Sequence, residues 1–363
     1  MSKKIRVAVV GGAFSEIHLQ GFKHCPEFEV VATCRRQKEL AEQAARKYEI
    51  KRYYTDIDEL IRQPDIDFLS LALPNYLHCP MTLKAFEQGK HVICEKPLAL
   101  TVKEAEAMLK RAEERRLIHV IVFNWRFVPA VVHMKELIEE GAVGSIFHVS
   151  FSWLGNSRKS RESPFNWRFL RDEAGYGALG DIGVHGIDLI HWLAGDFKRI
   201  ISQMNIFVPE HKVEKGRYNR TEVEDACSFL GELAEGGQVI FHVSNVASCE
   251  ATIRLEIHGD KGGLRIELFP RAGDYNGKLY GQKGAADLRN EIRIPERLTS
   301  VVRPRSEMDS SRAITFARFA QQLVKPLQNG QNPSPNFYDG LKVQKVLQAL
   351  TDSWQQQRWI DLI

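Results

Sequence analysis

A lysine stands at the end of an apolar run in the segment His91–Pro97. The run predicts a strand buried on both faces of a parallel sheet, and open α/β folds bind ligands at the carboxyl ends of such strands. Pro97 cannot extend a sheet ladder and it restricts Lys96 before it, so we expect a stiff turn that a cis peptide bond would suit. An ammonium held there can stabilise negative charge that develops on a substrate oxygen. The alternative is a surface lysine at a strand end.

Asp181 and His185 form a second candidate pair, four positions apart in the stretch Gly175–His185. At that spacing both side chains share one face of a helix. A histidine carries protons near neutral pH and a neighbouring carboxylate can fix its tautomer, so the pair suits general acid/base chemistry. A metal site that adds Asp188 and His191, or a purely structural pair, are the alternatives. We expect no metal, because the four positions drift around a helix and neither an HExxH motif nor a cysteine partner is present.

A glycine pair follows the first apolar run, where dinucleotide-binding folds place their phosphate-binding turn. In such folds the N–H groups of the turn and the N-terminus of the next helix hold the pyrophosphate. The turn here departs from GxGxxG, because one residue is missing or Val10 stands for the first glycine, and a serine replaces the third. Glycine pairs also occur in many strand–helix turns that bind no ligand. We expect the cofactor to contact Gly11, Gly12, Ala13, Phe14 and Ser15.

Arg35 and Arg36 follow the second apolar run, some 20 residues past the glycines. NAD-binding sites usually carry an acidic residue there, which accepts a hydrogen bond from the ribose 2′-OH. Two guanidinium groups suit a 2′-phosphate instead, because their planar fork pairs with phosphate oxygens. The sequence therefore favours NADP, with NAD as the alternative. Both arginines could also simply begin a solvated helical turn.

Two further loops carry residues suited to ligand binding. Leu73, Pro74, Asn75 and His78 follow a buried strand, and we expect them beside the nicotinamide end of the cofactor. Alternatively, they are turn residues, and His78 caps the next helix. The loop 156–161 is rich in cationic side chains, and the aromatic residue Trp167 follows it. Arginines bind anions and aromatic faces stack on sugar rings, so this segment predicts an anionic or heavily hydroxylated substrate. The alternative is a basic loop that is only solvated. We assign Arg158, Trp167 and Arg168 to substrate binding.

The elements that must position these residues alternate between apolar strands and amphipathic helices over the first third of the chain. This alternation predicts right-handed βαβ units in a doubly wound parallel sheet. Thr101, followed by Glu104, has the spacing of a helical capping box. The predicted strands are Ile5–Val10, Val30–Cys34, Phe68–Leu73, Val92–Cys94 and Ile118–Phe123, and the predicted helices are Glu16–His24, Lys38–Tyr48, Asp56–Arg62, Pro80–Gln88 and Val102–Arg115.

The pattern changes after Phe123 to half-buried alternating segments, which are typical of an open antiparallel sheet with helices. We therefore expect a Rossmann domain at 1–123 and an α+β domain at 124–363, with a hairpin turn at Gly259–Gly263 and long loops over about 270–312. The predicted strands are Ser145–Trp153, Ile200–Val208, Val239–Val246, Thr252–His258 and Leu264–Leu268, and the predicted helices are Pro129–Glu140, Asp181–Leu193, Ile314–Val324 and Phe337–Gln357.

Length and composition are those of a globular protein of about two domains, with 363 residues of which 44% are hydrophobic. The formal charge of +4 is small for this length and argues against a nucleic-acid partner. No apolar stretch approaches the roughly 20 residues that cross a bilayer, and the first residues resemble no signal peptide. The six cysteines lack CxxC spacing, which favours free thiols and a cytoplasmic location.

Three motifs together resemble the glucose–fructose oxidoreductase / inositol 2-dehydrogenase / MocA family of nicotinamide-dependent oxidoreductases. Glu95-Lys96-Pro97 matches the EKP signature of this family, the segment Gly180–Leu189 matches its DxGxHxxDL helix, and Asn124 with Arg126-Phe127 resembles its N-x-R-F element. The resemblance implies Lys96, Asp181 and His185 as the catalytic trio. It also implies that Glu95, Lys96 and Asn124 contact the cofactor and that Arg126 contacts the substrate. A homodimer or homotetramer through the second-domain sheet would follow as well.

The activity implied by this resemblance is reversible hydride transfer between nicotinamide C4 and a carbinol or carbonyl carbon of a sugar, inositol or related polyol. His185 would move the hydroxyl proton, Lys96 would hydrogen-bond the same oxygen, and Asp181 would orient His185 or hold a neighbouring hydroxyl. Three alternatives remain open: a glycoside-cleaving hydrolase that oxidises its substrate transiently, a nucleotide-sensing regulator without catalysis, and a relative that acts on cyclic imines or dihydrodiols.

Overall fold

The computed structural model describes residues 4–269, 276–283, 290–302 and 310–363. The chain divides into two compact units. The first unit comprises residues 1–124 and 302–344, and the second comprises residues 125–301 and 345–363.

Strands and helices alternate through the first 121 residues, as predicted. In chain order they are β1 (Ile5–Gly11), α1 (Ser15–Lys23), β2 (Phe28–Cys34), α2 (Lys38–Tyr48), β3 (Arg52–Tyr54), α3 (Ile57–Ile61), β4 (Phe68–Ala72), α4 (His78–Glu87), β5 (His91–Cys94), α5 (Val102–Arg115) and β6 (His119–Ile121).

Strands dominate most of the remaining chain, and two long helices lie close to its end. In chain order the elements are α6 (Pro129–Glu139), β7 (Ile146–Leu154), α7 (Arg171–Ala174), α8 (Val184–Ala194), β8 (Phe197–Asn205), β9 (Glu210–Lys212), β10 (Tyr218–Arg220), β11 (Ala226–Leu233), β12 (Gln238–Ser244), β13 (Thr252–Gly259), β14 (Gly262–Leu268), β15 (Lys278–Lys283), β16 (Glu291–Ile292), α9 (Glu296–Thr299), α10 (Ser311–Gln328), α11 (Phe337–Gln356) and β17 (Ile360–Asp361).

The first unit is built on a six-stranded sheet of order β3-β2-β1-β4-β5-β6, in which every pair is parallel. The predicted doubly wound sheet is therefore confirmed. Its central strands are continuous apolar runs because helices cover both faces of such a sheet. The capping box is also confirmed: Thr101 Oγ1 accepts from the Glu104 N–H at 3.2 Å, and the Glu104 carboxylate accepts from the Thr101 N–H. Strand β3 was not predicted, because it is short and polar.

Residues 302–344 belong to the first unit, although the sequence predicts the whole C-terminal part in the second domain. Helix α10 packs on α1, where the ring of Phe316 stacks on His18 at 4.2 Å. A Cβ at Gly21 would stand 2.4 Å from that phenylalanine ring, so only glycine permits this close approach. The start of α11 is held to β6, because His119 Nδ1 accepts from the Phe337 N–H at 3.1 Å.

The second unit contains a nine-stranded sheet of order β16-β15-β14-β13-β7-β12-β11-β8-β17. All of its pairs are antiparallel except β7–β12, so the predicted mostly antiparallel sheet is confirmed. The predicted hairpin joins β13 to β14. One face of the sheet carries stacked aromatic rings, with Phe241 4.8 Å from Phe151 and 4.5 Å from Phe229. The expected loops over 270–312 lie partly outside the described residues.

Helix α8 lies directly on this aromatic face. A Cβ at Gly186 would stand 2.3 Å from the ring of Phe151, so the helix can approach β7 only because this residue is a glycine. This packing fixes the height of the neighbouring His185 above the sheet.

Among the described residues, no helix is both long and apolar enough to span a membrane.

Candidate active site

The glycine turn lies at the carboxyl end of β1, where the strand order reverses between β1 and β4. Gly11 has φ +146°, and a Cβ there would stand 2.1 Å from the carbonyl oxygen of Ala72. A side chain is therefore excluded by backbone conformation and by space. A Cβ at Gly12 would meet no atom within 4 Å, so this backbone faces open space. Such a turn at such a switch point is where dinucleotide folds bind their cofactor.

The hydrogen bonds of the turn leave its first amides available for an anion. The N–H groups of Ser15, Glu16 and Ile17 donate to the carbonyls of Gly12, Ala13 and Phe14 at 3.1–3.2 Å. Among the described residues, no hydrogen bond uses the N–H groups of Gly12, Ala13 and Phe14. Ser15 Oγ donates to the Gly12 carbonyl at 2.7 Å and so braces the shortened turn in place of a third glycine. Amides at a helix N-terminus bind phosphate, so this turn fits a pyrophosphate despite its departure from GxGxxG.

Arg35 does not point freely outward from the end of β2. Its side chain is only 9% exposed, and Nη2 donates to Glu16 Oε1 at 2.5 Å and to Ser15 Oγ at 3.3 Å. Arg36 is exposed. Burial alone would raise the pKa of Glu16, but hydrogen bonds from Lys47, Tyr48 and Arg35 hold that pKa below its usual range. The two arginines predicted to bind a 2′-phosphate are thus unequal in availability.

His78 links two loops at the edge of the sheet. It is fully buried at the start of α4, and its ring nitrogens lie 2.8 Å from the Pro97 carbonyl oxygen and 3.0 Å from that of Leu73. Burial lowers the pKa of His78. A neutral imidazole has one N–H and can donate to only one of these carbonyls at a time. Pro74 is half-buried and Asn75 is buried in the same loop. His78 is therefore placed to position both loops.

Glu95 lies in a buried polar network that the sequence did not reveal. Its Oε1 lies 3.0 Å from His18 Nε2, and the other ring nitrogen of His18 lies 2.8 Å from Ser70 Oγ. Burial alone would raise the pKa of Glu95, but the hydrogen bond to His18 brings it below its usual range. Glu95 Oε2 accepts from the Lys96 N–H at 3.1 Å. A polar residue inside the apolar pattern of α1 was the only sequence signal for His18.

Lys96 lies in the first unit, directly after β5, and is half-buried. The Lys96–Pro97 peptide bond is cis. Lys96 is the member of the predicted catalytic trio that lies in the same unit as the glycine turn. The other two members, Asp181 and His185, are in the second unit.

Asp181 lies in a π-helical turn, Leu179–Gly183, and His185 lies in the first turn of α8 that follows. Asp181 Oδ2 accepts from Arg158 Nη2 at 2.9 Å, so a guanidinium from the basic loop is committed to this carboxylate. His185 is 7% exposed, with the Trp153 ring stacked 6.0 Å from its imidazole and the Trp125 ring 6.1 Å away. The site in this unit thus combines an imidazole, a carboxylate and two indole rings.

Glu224 anchors the segment that carries Asp181. Its Oε1 accepts from the N–H groups of Gly177 and Leu179 at 2.8 and 2.9 Å, and its backbone carbonyl accepts from the Ala178 N–H. Burial raises the pKa of Glu224 to about 6. A Cβ at Gly177 would stand 1.8 Å from the Glu224 carbonyl oxygen, which explains the glycine. Sequence reasoning missed this residue, because no local motif marks it.

The remaining residues predicted to bind cofactor or substrate are Asn124, Arg126, Trp167 and Arg168. Asn124 is half-buried and begins a single 3-10 turn, Asn124–Phe127. Arg126 is buried, and its Nε and Nη2 donate to the two carboxylate oxygens of Asp188 at 2.9 and 2.5 Å. Trp167 and Arg168 are half-buried, and the Arg168 guanidinium lies 4.4 Å from the indole of its neighbour. Within the described residues, no group of three His, Cys, Asp or Glu side chains is placed to hold a metal ion.

A doubly wound sheet with a glycine turn at its switch point, followed by a unit with an open and mostly antiparallel sheet, is typical of two-domain dinucleotide-dependent oxidoreductases. The model of the oxidoreductase family with an NAD-binding Rossmann fold matches residues 5–123, and that of the GFO/IDH/MocA C-terminal domain matches residues 131–265. The chain belongs to this family.

Individual relatives match almost the whole chain. Levoglucosan dehydrogenase of Pseudarthrobacter phenanthrenivorans is 29% identical over 99% of this chain and 98% of its own length. Glucose-6-phosphate 3-dehydrogenase of Bacillus subtilis is 31% identical over 95% of both chains. A solved structure of levoglucosan dehydrogenase in complex with NADH and L-sorbose superposes with a TM-score of 0.90, at 28% identity and 99% coverage of both chains. The predicted family and fold are confirmed.

Proposed function

We propose that this protein transfers a hydride between nicotinamide C4 and a carbinol or carbonyl carbon of a sugar, inositol or related polyol. The observation that carries the proposal is the setting of His185. This imidazole lies beside two indole rings, on the helix that continues from Asp181. Indole faces stack on sugar rings, and an imidazole can take the proton of a hydroxyl that is being oxidised. The similarity to enzymes named levoglucosan dehydrogenase and glucose-6-phosphate 3-dehydrogenase supports a sugar substrate.

The bound cofactor would supply the hydride acceptor in one direction and the hydride donor in the other. The N–H groups of Gly12, Ala13 and Phe14 would hold its pyrophosphate. His185 would remove the hydroxyl proton in the oxidative direction and return it in the reductive one. Lys96 would hydrogen-bond the same substrate oxygen and stabilise alkoxide character. Asp181, which accepts a hydrogen bond from Arg158, would orient the imidazole or accept from a neighbouring hydroxyl.

We propose a neutral, polyhydroxylated substrate rather than an anionic one. The predicted cationic contacts are partly used within the protein, since Arg158 is bound to Asp181 and Arg126 to Asp188. Arg126 would then act by holding the turn that presents Trp125, and not by touching the substrate. Trp167 and Arg168 remain proposed contacts to the substrate.

The test is a substrate screen with both nicotinamide cofactors, using neutral sugars, anhydrosugars, inositols, sugar acids and a sugar phosphate. Turnover should depend on His185, and His185→Ala should lose about 10²–10⁴-fold in kcat, as expected for a positioned acid/base. His242→Ala is a matched control, because that histidine is exposed on β12. Wild-type turnover by the His185 variant, with bound cofactor, would refute the catalytic assignment. Glycoside cleavage without net redox turnover would favour the hydrolase instead.

NADP stays the proposed cofactor, with NAD as the alternative. Arg36 is exposed at the end of β2 and is the guanidinium that a 2′-phosphate could reach without breaking an ion pair. Fluorescence titration with NADPH and NADH measures the preference directly. Arg36→Gln should weaken NADPH binding and leave NADH binding unchanged, whereas equal effects on both cofactors would contradict this role.

A second copy of this chain is the proposed partner, as a homodimer or homotetramer formed through the second-unit sheet. Leu230 and Ile240 are direct neighbours on adjacent strands and are 50% and 59% exposed. Exposed apolar neighbours on a sheet face favour an interface. Light scattering should show an oligomer for the wild type and smaller species for Leu230→Lys/Ile240→Lys. Leu40→Lys is the control for a lysine in place of an exposed leucine outside this sheet, because Leu40 lies on α2 and is 43% exposed. A monomeric wild type would exclude the assembly.

A further inference from the structure

The carboxylate of Glu16 holds the arginine that the sequence predicts for cofactor selection. Glu16 lies in the first turn of α1, directly after the glycine turn, and Arg35 lies directly after β2. Their side chains approach to 2.5 Å between Glu16 Oε1 and Arg35 Nη2. The same Nη2 also donates to Ser15 Oγ, whose own proton goes to the Gly12 carbonyl. The guanidinium is thereby tied to the turn itself.

The other oxygen of Glu16 is equally occupied. Its Oε2 accepts from the Tyr48 hydroxyl at 2.6 Å and from Lys47 Nζ at 2.8 Å. One carboxylate therefore pairs with two cations, Arg35 and Lys47, beside the glycine turn. With three donors around it, the carboxylate stays charged at neutral pH and cannot release Arg35 by taking up a proton.

We propose that Glu16 sets the cofactor preference of this protein by withholding Arg35 from the 2′-phosphate of NADP. The inference rests on the proposed nicotinamide-dependent function and names a specificity-determining residue for it. A 2′-phosphate would have to compete with the Glu16 carboxylate for the guanidinium of Arg35. Of the two arginines, only Arg36 would then bind the 2′-phosphate and favour NADP over NAD. The native chain should therefore bind NADPH and NADH with dissociation constants within about tenfold of each other.

The experiment is a fluorescence titration of the purified full chain with NADPH and with NADH, at one salt concentration. Glu16→Gln keeps the shape of the side chain and removes its charge. It should tighten NADPH binding by about tenfold, equivalent to about 1.4 kcal/mol, and change NADH binding by less than about threefold. Glu42→Gln is the matched control, because this carboxylate lies on α2 and pairs with Arg46 at 2.6 Å. The control should leave the ratio of the two dissociation constants unchanged.

Arg35→Gln keeps the inference testable if Glu16→Gln does not fold. A withheld arginine predicts a loss of NADPH affinity below about threefold on its removal, whereas an arginine that already binds the phosphate predicts about tenfold or more. The combined variant Glu16→Gln/Arg35→Gln should show none of the gain seen in Glu16→Gln.

Titration with 2′,5′-ADP and 5′-AMP repeats the comparison at the adenosine end alone, without dependence on turnover. An unchanged NADPH to NADH ratio in Glu16→Gln would overturn the role of Glu16. Failure of the wild type to bind either dinucleotide would instead overturn the proposed function.

Discussion

The buried ion pair between Arg126 and Asp188 allows a quantitative prediction. Both side chains are at most 3% exposed, and two charged hydrogen bonds of 2.9 and 2.5 Å join them. Removing one partner leaves a buried charge without its closest counter-charge, which costs about 3–5 kcal/mol. Asp188→Asn and Arg126→Met should each lower the free energy of unfolding by about this amount. If Arg126 contacted the substrate instead, its replacement would raise KM and leave stability nearly unchanged.

The assay is urea-induced unfolding followed by tryptophan fluorescence, for which Trp192 is a local reporter because the Arg126 guanidinium lies 5.7 Å from its ring. The double variant Arg126→Met/Asp188→Leu replaces the pair by apolar side chains of similar size and should recover most of the loss. The exposed pair Arg254–Glu267 provides the control, and Arg254→Met should cost less than about 1 kcal/mol. The single variant Asp188→Leu completes the cycle, and a loss in the double variant equal to the sum of the Arg126→Met and Asp188→Leu losses would show that the two charges do not act as a pair.

Three further predictions follow from single contacts. Gly186→Ala should cost about 1–3 kcal/mol in the same unfolding assay, because its methyl group would stand 2.3 Å from the Phe151 ring. Gly11→Ala should abolish NADH binding in a titration, since its Cβ would clash with the Ala72 carbonyl; retained affinity would show that the turn can rearrange. Burial raises the pKa of Glu224 from its model-compound value of 4.5 to about 6. This folded-state pKa lies above the unfolded one, so the stabilisation that protonated Glu224 contributes is fully present below about pH 4.5. This stabilisation, on the order of 2 kcal/mol, is lost as the pH rises through about 6. Glu224→Gln should remove this part of the pH dependence of the unfolding free energy, and an unchanged slope would contradict the shift.

The sequence predicts the first unit well because its strands are buried on both faces. Continuous apolar runs such as Phe68–Ala72 and capped amphipathic helices such as Val102–Arg115 carry their own signal. Strand Ala226–Leu233 was missed although its inward positions alternate, because Gly231 and polar residues interrupt the pattern. The docking of α10 on α1 was not predictable either, since the choice of partner depends on the contact of Gly21 with Phe316 and on no local pattern.

In the candidate site, likewise, the sequence identifies the functional residues but not the residues that pair with them. Lys96, Asp181 and His185 could be named because strand ends and helical spacing mark them. The partners of the charged groups could not be named, because ion pairs such as Arg35–Glu16 join residues that are 19 positions apart and lie on different elements. His18 and Glu224 were missed for this reason, as both act through a buried contact with a distant segment.

These partnerships change what the basic residues imply about the ligands. Arg35 was predicted to meet the 2′-phosphate of the cofactor, and Arg126 and Arg158 were predicted to contact the substrate. Each of the three meets a carboxylate within its own unit. A ligand anion would have to compete with a carboxylate for each guanidinium. The cost is largest at Arg126, because Asp188 is buried and would lose its closest counter-charge. The pairing therefore favours a neutral substrate and weakens the discrimination in favour of NADP. Tight competitive inhibition by a sugar acid, with neutral sugars inert, would show that these ion pairs open on binding and would refute this reasoning.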